Sequence, residues 1–332
     1  MPPTALPAPA DSTSDREIVL SRVFHAPRAL VWEAWTKPEH VVKWWGPRGF
    51  TTETRRHEFR VGGTWEHTMV GPDSTRFPNK SIFKEIVPQE RVVYSHGGGR
   101  EDGEIPGANF LATWTFETLD DGKTKVTGRM VFPSAATRDH VVKEFGAIEG
   151  GKQTLERLGE QLAAMQSKPF VITREFAAPR DLVWKVWTER EHFTRWFGPK
   201  GVANTMVKFE LRPGGMCHYY MTTPDGKKMW GKAVYREIVP PTKLVWINSF
   251  SDENAGITRH PFVKDPWPLQ LLTVVTFAEN AGKTTVTVNW LPLDSDDDER
   301  RVFDANLASM NGGWGGTFDQ LEAYLAEAQK SG

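Results

Sequence analysis

The sequence predicts two tandem α+β domains, each a curved antiparallel sheet wrapped around a long C-terminal helix. Three observations carry this reading. First, Ser21–Phe50, SRVFHAPRALVWEAWTKPEHVVKWWGPRGF, recurs as Thr173–Val202, TREFAAPRDLVWKVWTEREHFTRWFGPKGV. Pro27 and Pro179, Trp32 and Trp184, His40 and His192, and Gly46 and Gly198 are each 152 positions apart, so one domain is present twice. Second, each copy continues as short alternating segments broken by turn signals, about seven counting the first strand, the mark of an antiparallel sheet. Third, each copy ends on apolar residues at helical spacing: Leu155, Leu158, Leu162 and Met165, then Leu321, Tyr324 and Leu325. A chain of 332 residues has room for two such cores. The expected division is a disordered tail over 1–15, a first domain over 16–166 and a second over 167–332. The linker Ser167-Lys168-Pro169 is so short that the domains are expected to be neighbours packed against each other.

Each copy begins with a strand, since Ile18 and Leu20 alternate with Val19 and Ser21. Ala26-Pro27 then opens a helix, with Leu30, Val31, Ala34 and Trp35 as its apolar stripe. Leu182, Val183, Val186 and Trp187 repeat it. Thr36 with Glu39, and Thr188 with Glu191, read as capping boxes for a second helix. Gly46-Pro47 and Gly198-Pro199 end that helix. Strands are then expected over 51–59, 64–70, 80–87, 91–96, 109–118 and 123–132. Gly97–Gly107 reads as a glycine-rich loop, and Asp120-Asp121-Gly122 as a hairpin turn. The second copy keeps the order, but its loop after Phe250 is longer and carries His260-Pro261 and Asp265-Pro266-Trp267-Pro268. The acidic run Asp294–Glu299 is expected to cap the following helix. Gly312–Gly316 is expected at the start of the last helix.

Phe24, Ala26-Pro27, Trp32, Trp35-Thr36, Trp44-Trp45-Gly46-Pro47 and Arg60-Val61-Gly62-Gly63 recur as Phe176, Ala178-Pro179, Trp184, Trp187-Thr188, Trp196-Phe197-Gly198-Pro199 and Arg212-Pro213-Gly214-Gly215. This pattern resembles the family named for the activator of Hsp90 ATPase, within the START/Bet v 1-like (SRPBCC) superfamily. The resemblance covers Arg16–Met165 and Pro169–Gln329. It implies two helix-grip domains, each with a ligand space between sheet and C-terminal helix. It does not fix a function, because the superfamily holds lipid carriers, cyclases and co-chaperones.

Charge and cysteine content bound the alternatives. With 41 basic and 42 acidic residues the net charge is −1, so neither nucleic acid nor an anionic membrane is an expected partner. The single cysteine, Cys217, excludes a disulfide within the chain and suits a reducing, cytoplasmic setting. MPPTALPAPADSTSD reads as a tail rather than a signal peptide. No apolar run reaches the length of about 20 residues a membrane helix needs.

Fourteen tryptophans and 19 phenylalanines serve either a core or the lining of an apolar cavity. Period-two alternation assigns inward-facing rows. In the first domain these include Trp65, His67 and Met69; Tyr94 and His96; Trp114 and Phe116; and Met130, with Trp45 at the end of the second helix. In the second they include Cys217, Tyr219 and Met221; Trp246 and Asn248; Phe277; and Trp290, with Phe197 and Trp314 from helices. These are the candidate ligand-lining residues. His67, Tyr94 and His96 are either satisfied wall residues or acid–base groups, and Tyr219 and Asn248 replace both histidines in the second copy. No carboxylate or cysteine stands at metal-ligand spacing beside those histidines, so neither metal nor cofactor is expected. Cys217 reads as a small buried residue rather than a nucleophile, because its neighbour His218 points to the opposite face. Gly150-Gly151 stand where the second copy has Gly313-Trp314, a loss expected to enlarge the first cavity unless other aromatics fill it. The leading expectation is a small hydrophobic or aromatic ligand in one or both cavities; the divergence of the two pockets suggests in addition that the copies have split roles, one binding and one mainly structural. The alternatives are a cyclase or hydrolase using the first domain's polar residues, and a co-chaperone or protein-interaction module.

Overall fold

The computed structural model describes residues 13–100, 103–104 and 109–330. The proposed tail over 1–15 falls mostly outside them, and Ser14–Arg16 form a single 3-10 turn. The chain divides into two compact units between Leu162 and Ala163.

The first unit runs β1 (Glu17–Phe24), α1 (Arg28–Thr36), α2 (Pro38–Trp44), β2 (Thr51–His57), β3 (Thr64–Val70), β4 (Arg76–Val87), β5 (Arg91–Arg100), β6 (Gly103–Glu104), β7 (Phe110–Thr118), β8 (Thr124–Val131), α3 (Ala135–Phe145) and α4 (Ala147–Gln166). Its sheet is antiparallel in the order β1-β8-β7-β5-β4-β3-β2, with β6 paired to β5 off this path. The second unit runs β9 (Phe170–Phe176), α5 (Arg180–Thr188), α6 (Arg190–Trp196), β10 (Ala203–Phe209), β11 (Met216–Thr222), β12 (Lys228–Val239), β13 (Lys243–Phe250), β14 (Leu271–Asn280), β15 (Lys283–Pro292), α7 (Asp297–Ala305) and α8 (Leu307–Ala328). Its seven strands take the same order, β9-β15-β14-β13-β12-β11-β10.

The curvature has a local cause. The register slips between Thr54 and Arg56 in β2 and between Phe83 and Glu85 in β4. It slips at the equivalent places in β10, between Met206 and Lys208, and in β12, between Tyr235 and Glu237. An extra residue on one strand bends it and increases its twist, so four bulges at repeated positions curve both sheets toward their helices.

Buried tertiary bonds repeat as well. Trp44 Nε1 donates to the Ala34 carbonyl at 2.9 Å, and Trp196 Nε1 to Val186 at 2.9 Å. Each fixes the angle between the two short helices. The capping boxes do not form. Thr36 instead donates back to the Trp32 carbonyl at 2.7 Å and Thr188 to Trp184 at 2.7 Å, an i to i−4 bond within their own helix. Lys37 and Glu189 occupy the caps without side-chain capping bonds. The acidic run does cap α7: Asp296 Oδ1 accepts from the Glu299 N–H at 2.8 Å, and the Asp296 N–H donates to Glu299 Oε2 at 3.3 Å.

Two glycine segments differ from expectation. Gly97–Gly99 are strand, because β5 runs on to Arg100; the rest of the predicted loop lies mainly outside the described residues. A Cβ at Gly98 would sit 2.5 Å from Asn79 Oδ1, which explains why glycine suits that rung. Gly312–Gly316 lie inside α8, not at its start. Met310, Trp314, Phe318, Leu321 and Leu325 are buried along that helix, and their packing outweighs a glycine cost of about 1 kcal/mol per residue.

Arg157 ties α4 to the turn after α2. Its Nη1 donates to the carbonyls of Gly46 at 2.9 Å, Pro47 at 2.9 Å and Phe50 at 3.1 Å, and its Nη2 to Lys43 at 3.1 Å. Gln320 makes the matching link in the second unit, donating to the Gly198 carbonyl and to Trp196 at 3.4 Å. Arg157→Leu is expected to lower stability by about 2–3 kcal/mol, since charge-assisted bonds are lost and carbonyls are left unpaired. Urea denaturation would read this as a shifted midpoint, and an unchanged midpoint would show that the clamp contributes nothing.

Candidate functional site

The second unit holds a cavity of about 380 Å³ between its sheet and α8. Phe197 at the end of α6, Tyr219 and Met221 of β11, Trp246 and Asn248 of β13, Trp290 of β15, and Met310 and Trp314 of α8 form its walls. His260, Val263 and Trp267, from the long segment between β13 and β14, also line it. Strand alternation brings the β residues to one face. Cys217 and Phe277, also assigned to that lining, lie instead in the packed interior, where both are 2% exposed.

Tyr219 reaches its place because Gly231 pairs with it across the sheet. A Cβ on Gly231 would come within 2.9 Å of the phenol carbon and hydroxyl. The glycine therefore lets the ring lie across the neighbouring strand. Burial holds the Tyr219 hydroxyl well above its usual pKa, so it stays protonated. Asn248 Oδ1 accepts a hydrogen bond from Thr273 Oγ1, which fixes the amide and leaves its N–H groups without a protein partner among the described residues. His260 Nδ1 accepts from the backbone N–H groups of Phe262 and Val263, each at 3.1 Å. Its ring contacts Phe250, centroids 4.3 Å apart, and Trp267 at 5.5 Å. Arg259 Nη1 pairs with Glu299 Oε1 at 3.0 Å and pins this segment to α7.

The first unit fills the equivalent space differently. Trp114 of β7 lies 6.0 Å from Trp35 and 6.4 Å from Trp45 between ring centroids. In the second unit Trp314 of α8 stands 6.5 Å from Trp187 and 6.3 Å from Phe197, the repeat partners of those residues. One tryptophan comes from the sheet and the other from the helix. Gly128 makes the first arrangement possible, since a Cβ there would lie 2.5 Å from the Trp114 ring. Gly151 completes it: a Cβ there would lie 2.2 Å from Leu20 Cδ1. The missing helix tryptophan is thus compensated from the sheet.

The remaining candidates of the first unit pack into one another. Trp45 meets Trp65 at 4.9 Å, and Phe116 meets Trp32 at 5.2 Å and Trp35 at 5.9 Å. Met69 lies against Gly46, and Met130 pairs with Ile18 and Ala112 in the sheet. The Tyr94 hydroxyl accepts from Trp114 Nε1 at 3.1 Å; burial raises its pKa well above the usual phenol range. His96 Nδ1 lies 3.2 Å from Ser81 Oγ, and burial lowers its pKa to about 4. His67 stacks on Trp65 with centroids 4.0 Å apart and is 3% exposed. Neither ring nitrogen has a hydrogen-bond partner among the described residues. Burial, followed by repulsion from His96 and His57, lowers its pKa to about 3.

A wider opening of about 970 Å³ touches His67 and His96. It also takes in Glu66, Lys80, Ser95 and Leu111, which alternate to the opposite face of the same strands. It is a notch at the end of the sheet rather than a chamber enclosed by it.

Cys217 Sγ donates to Met206 Sδ at 3.3 Å, and burial pushes its thiol up to about 12. His218 bonds the Asp252 carbonyl at 3.1 Å on the other face. A nucleophile needs the opposite trend in pKa and an adjacent base. Among the described residues no three His, Cys, Asp or Glu side chains form a cluster able to hold a metal, and no helix is long and apolar enough to cross a membrane. His260, Trp267 and Met310 of the cavity were not among the predicted residues. For His260 and Trp267 the signal available was that the segment after Phe250 is longer than its counterpart in the first copy.

No curated protein matches the chain. Among solved structures, a protein from Mycobacterium smegmatis is 29% identical over 46% of this chain and 87% of its own, with a TM-score of 0.37. One from Arthrobacter aurescens is 25% identical over 48% and 93%, with a TM-score of 0.43. The di-domain ARO/CYC BexL is 15% identical over 93% and 98%, with a TM-score of 0.42. The family model described as Activator of Hsp90 ATPase homolog 1-like protein matches residues 25–163 and again 177–326. Two helix-grip domains matched in tandem across most of the sequence make the chain a member of the Activator of Hsp90 ATPase homolog 1-like family.

Proposed function

We propose that the protein binds a small hydrophobic, aromatic molecule in the second unit, and that the first unit is chiefly structural. The observation that carries this is the exchange of tryptophans. Trp314 leaves a space of about 380 Å³ beside it, within the usual range for ligand sites. Trp114 instead occupies the middle of the first unit, over Gly128. The acid–base alternative is weaker. Tyr94 is engaged by Trp114, and desolvation lowers the pKa of buried His67 to about 3 and of part-buried His96 to about 4, far from where a general base works near neutrality. The co-chaperone alternative rests on the family's description alone.

Native mass spectrometry of the gently purified full chain tests the proposal. One adduct of fixed mass at one copy per chain is expected, and Met221→Trp, which fills the cavity, is expected to abolish it. Two copies per chain would refute the division of roles. An adduct unaffected by Met221→Trp would place the ligand elsewhere.

A further inference from the structure

The ligand's chemistry can be narrowed from the polar groups that face the cavity; this step rests on the binding role proposed above. Among the described residues that line it, none is Asp, Glu, Lys or Arg. A charged ligand would lose its hydration there without gaining a counter-charge, which is costly in an apolar site. The walls are broad aromatic faces: Trp246, Trp290 and Trp314 contribute indoles, and Phe197 and Phe250 phenyl rings. Flat apolar walls favour a flat ligand that can stack or meet them edge-on.

The polar groups divide by element: along α8, Asn306 Nδ2 and Thr317 Oγ1 donate to the Val302 and Gly313 carbonyls, which leaves their oxygens as acceptors, whereas three groups from the strands and the segment after β13 offer donors. Asn248 has its oxygen occupied by Thr273, so its amide offers N–H groups. His260 accepts two backbone bonds at Nδ1, so the neutral ring carries its proton on Nε2 and offers an N–H. Burial lowers the His260 pKa, which keeps this neutral form in place near neutrality. Tyr219 makes no hydrogen bond to protein among the described residues, and its hydroxyl is free to donate. The first unit has no such set, because Tyr94 is already bonded to Trp114 and His96 lies against Ser81, which leaves His67 as the one of the three with unbonded ring nitrogens among the described residues.

We infer that the second unit's cavity takes an uncharged, planar aromatic molecule bearing carbonyl-type acceptors, such as an aromatic ketone or quinone, with Tyr219, Asn248 and His260 as its hydrogen-bond donors. The test uses three probes of one skeleton on the full chain, followed by tryptophan quenching or calorimetry: fluorene, 9-fluorenone and fluorene-9-carboxylate. 9-Fluorenone is expected to bind about two- to tenfold tighter than fluorene for each donor engaged, and the carboxylate more weakly than either. Tyr219→Phe, Asn248→Leu and His260→Phe should each reduce the ketone's advantage while leaving fluorene unchanged. The comparison on the unaltered chain stands even where a variant folds poorly. Equal affinity for fluorene and 9-fluorenone overturns the inference and leaves the hydrophobic cavity standing, as does tightest binding of the carboxylate. A ketone preference that is undiminished in all three variants overturns the assigned donors. Absence of binding by every probe overturns the binding role and the inference together.

Discussion

Trp114→Val is expected to destabilise the first unit by about 3–5 kcal/mol, the usual cost of emptying a large buried aromatic site. The substitution is not foreign to the fold, since Val275 occupies the equivalent rung of the second unit. What differs is the company. There Val275 stands beside Val288, with Trp314 supplying the bulk from the helix. In the first unit the neighbour is Gly128, and the helix presents Gly151. A valine at 114 would therefore face empty space on two sides, and the Tyr94 hydroxyl would lose its buried partner. The void should be apolar except for the Tyr94 hydroxyl, and able to take up a small aromatic molecule. Urea denaturation should show the loss, and added indole should restore part of it in the variant but not in the parent. A loss below about 1 kcal/mol, within the range of tolerated swaps, would mean that Trp114 is not what fills this interior. The same experiment distinguishes the units, because Trp314→Val enlarges a cavity already present.

Much of this architecture could be read from residues, and the failures have identifiable causes. The strand and paired helices between Ser21 and Phe50 follow from alternation, helical stripes and stop signals, all of which are local. The bulges after Thr54 and Phe83 were not legible, because one extra strand residue leaves the apolar pattern nearly intact. Thr36 was misread because its hydroxyl can reach the next helix's first turn or its own preceding carbonyl, and sequence does not choose between them. Gly312–Gly316 was misread because glycine signals a helix end, whereas the spacing of Met310, Trp314, Phe318 and Leu321 argued for continuity. The inward rows were predicted from period two alone. That rule says which side a residue faces, but not whether the space before it is open. Openness depends on Gly128, Gly151 and Gly231, whose partners are distant in sequence. His260 was out of reach for another reason: it sits in a loop longer than its counterpart in the first copy, so the repeat offered no matching residue for comparison.

The first unit should also lose stability steeply as pH falls from 7 to 5, and His67 and His96 are the cause. Both have folded-state pKa values below the ordinary 6.5, about 3 for His67 and about 4 for His96. The unfolded chain therefore binds protons between pH 6.5 and those values while the folded chain refuses them. Stability rises with pH wherever the unfolded state holds more protons, so the contribution is full above pH 6.5 and drains away below it. At pH 5 the cost is about 2 kcal/mol for each ring, or about 4 kcal/mol for the pair. His57, half-buried and also shifted down by desolvation, acts in the same direction. The ion-paired carboxylates of this unit act in a lower window. Glu33, Glu58 and Glu85 are held below 4.5 by lysine or arginine partners, so their effect begins at lower pH. Amide hydrogen exchange across β3 and β5, measured at pH 7 and pH 5 and corrected for intrinsic rates, would report the first unit separately from the second. His67→Phe is the decisive variant. Phenylalanine keeps the stack on Trp65 and removes two buried nitrogens that lack partners, so it should stabilise the unit at both pH values and more at pH 5. Roughly half of the pH dependence should disappear with it. If the parent's protection is the same at pH 5 and pH 7, the histidines are protonated without penalty, and desolvation does not hold their pKa values down.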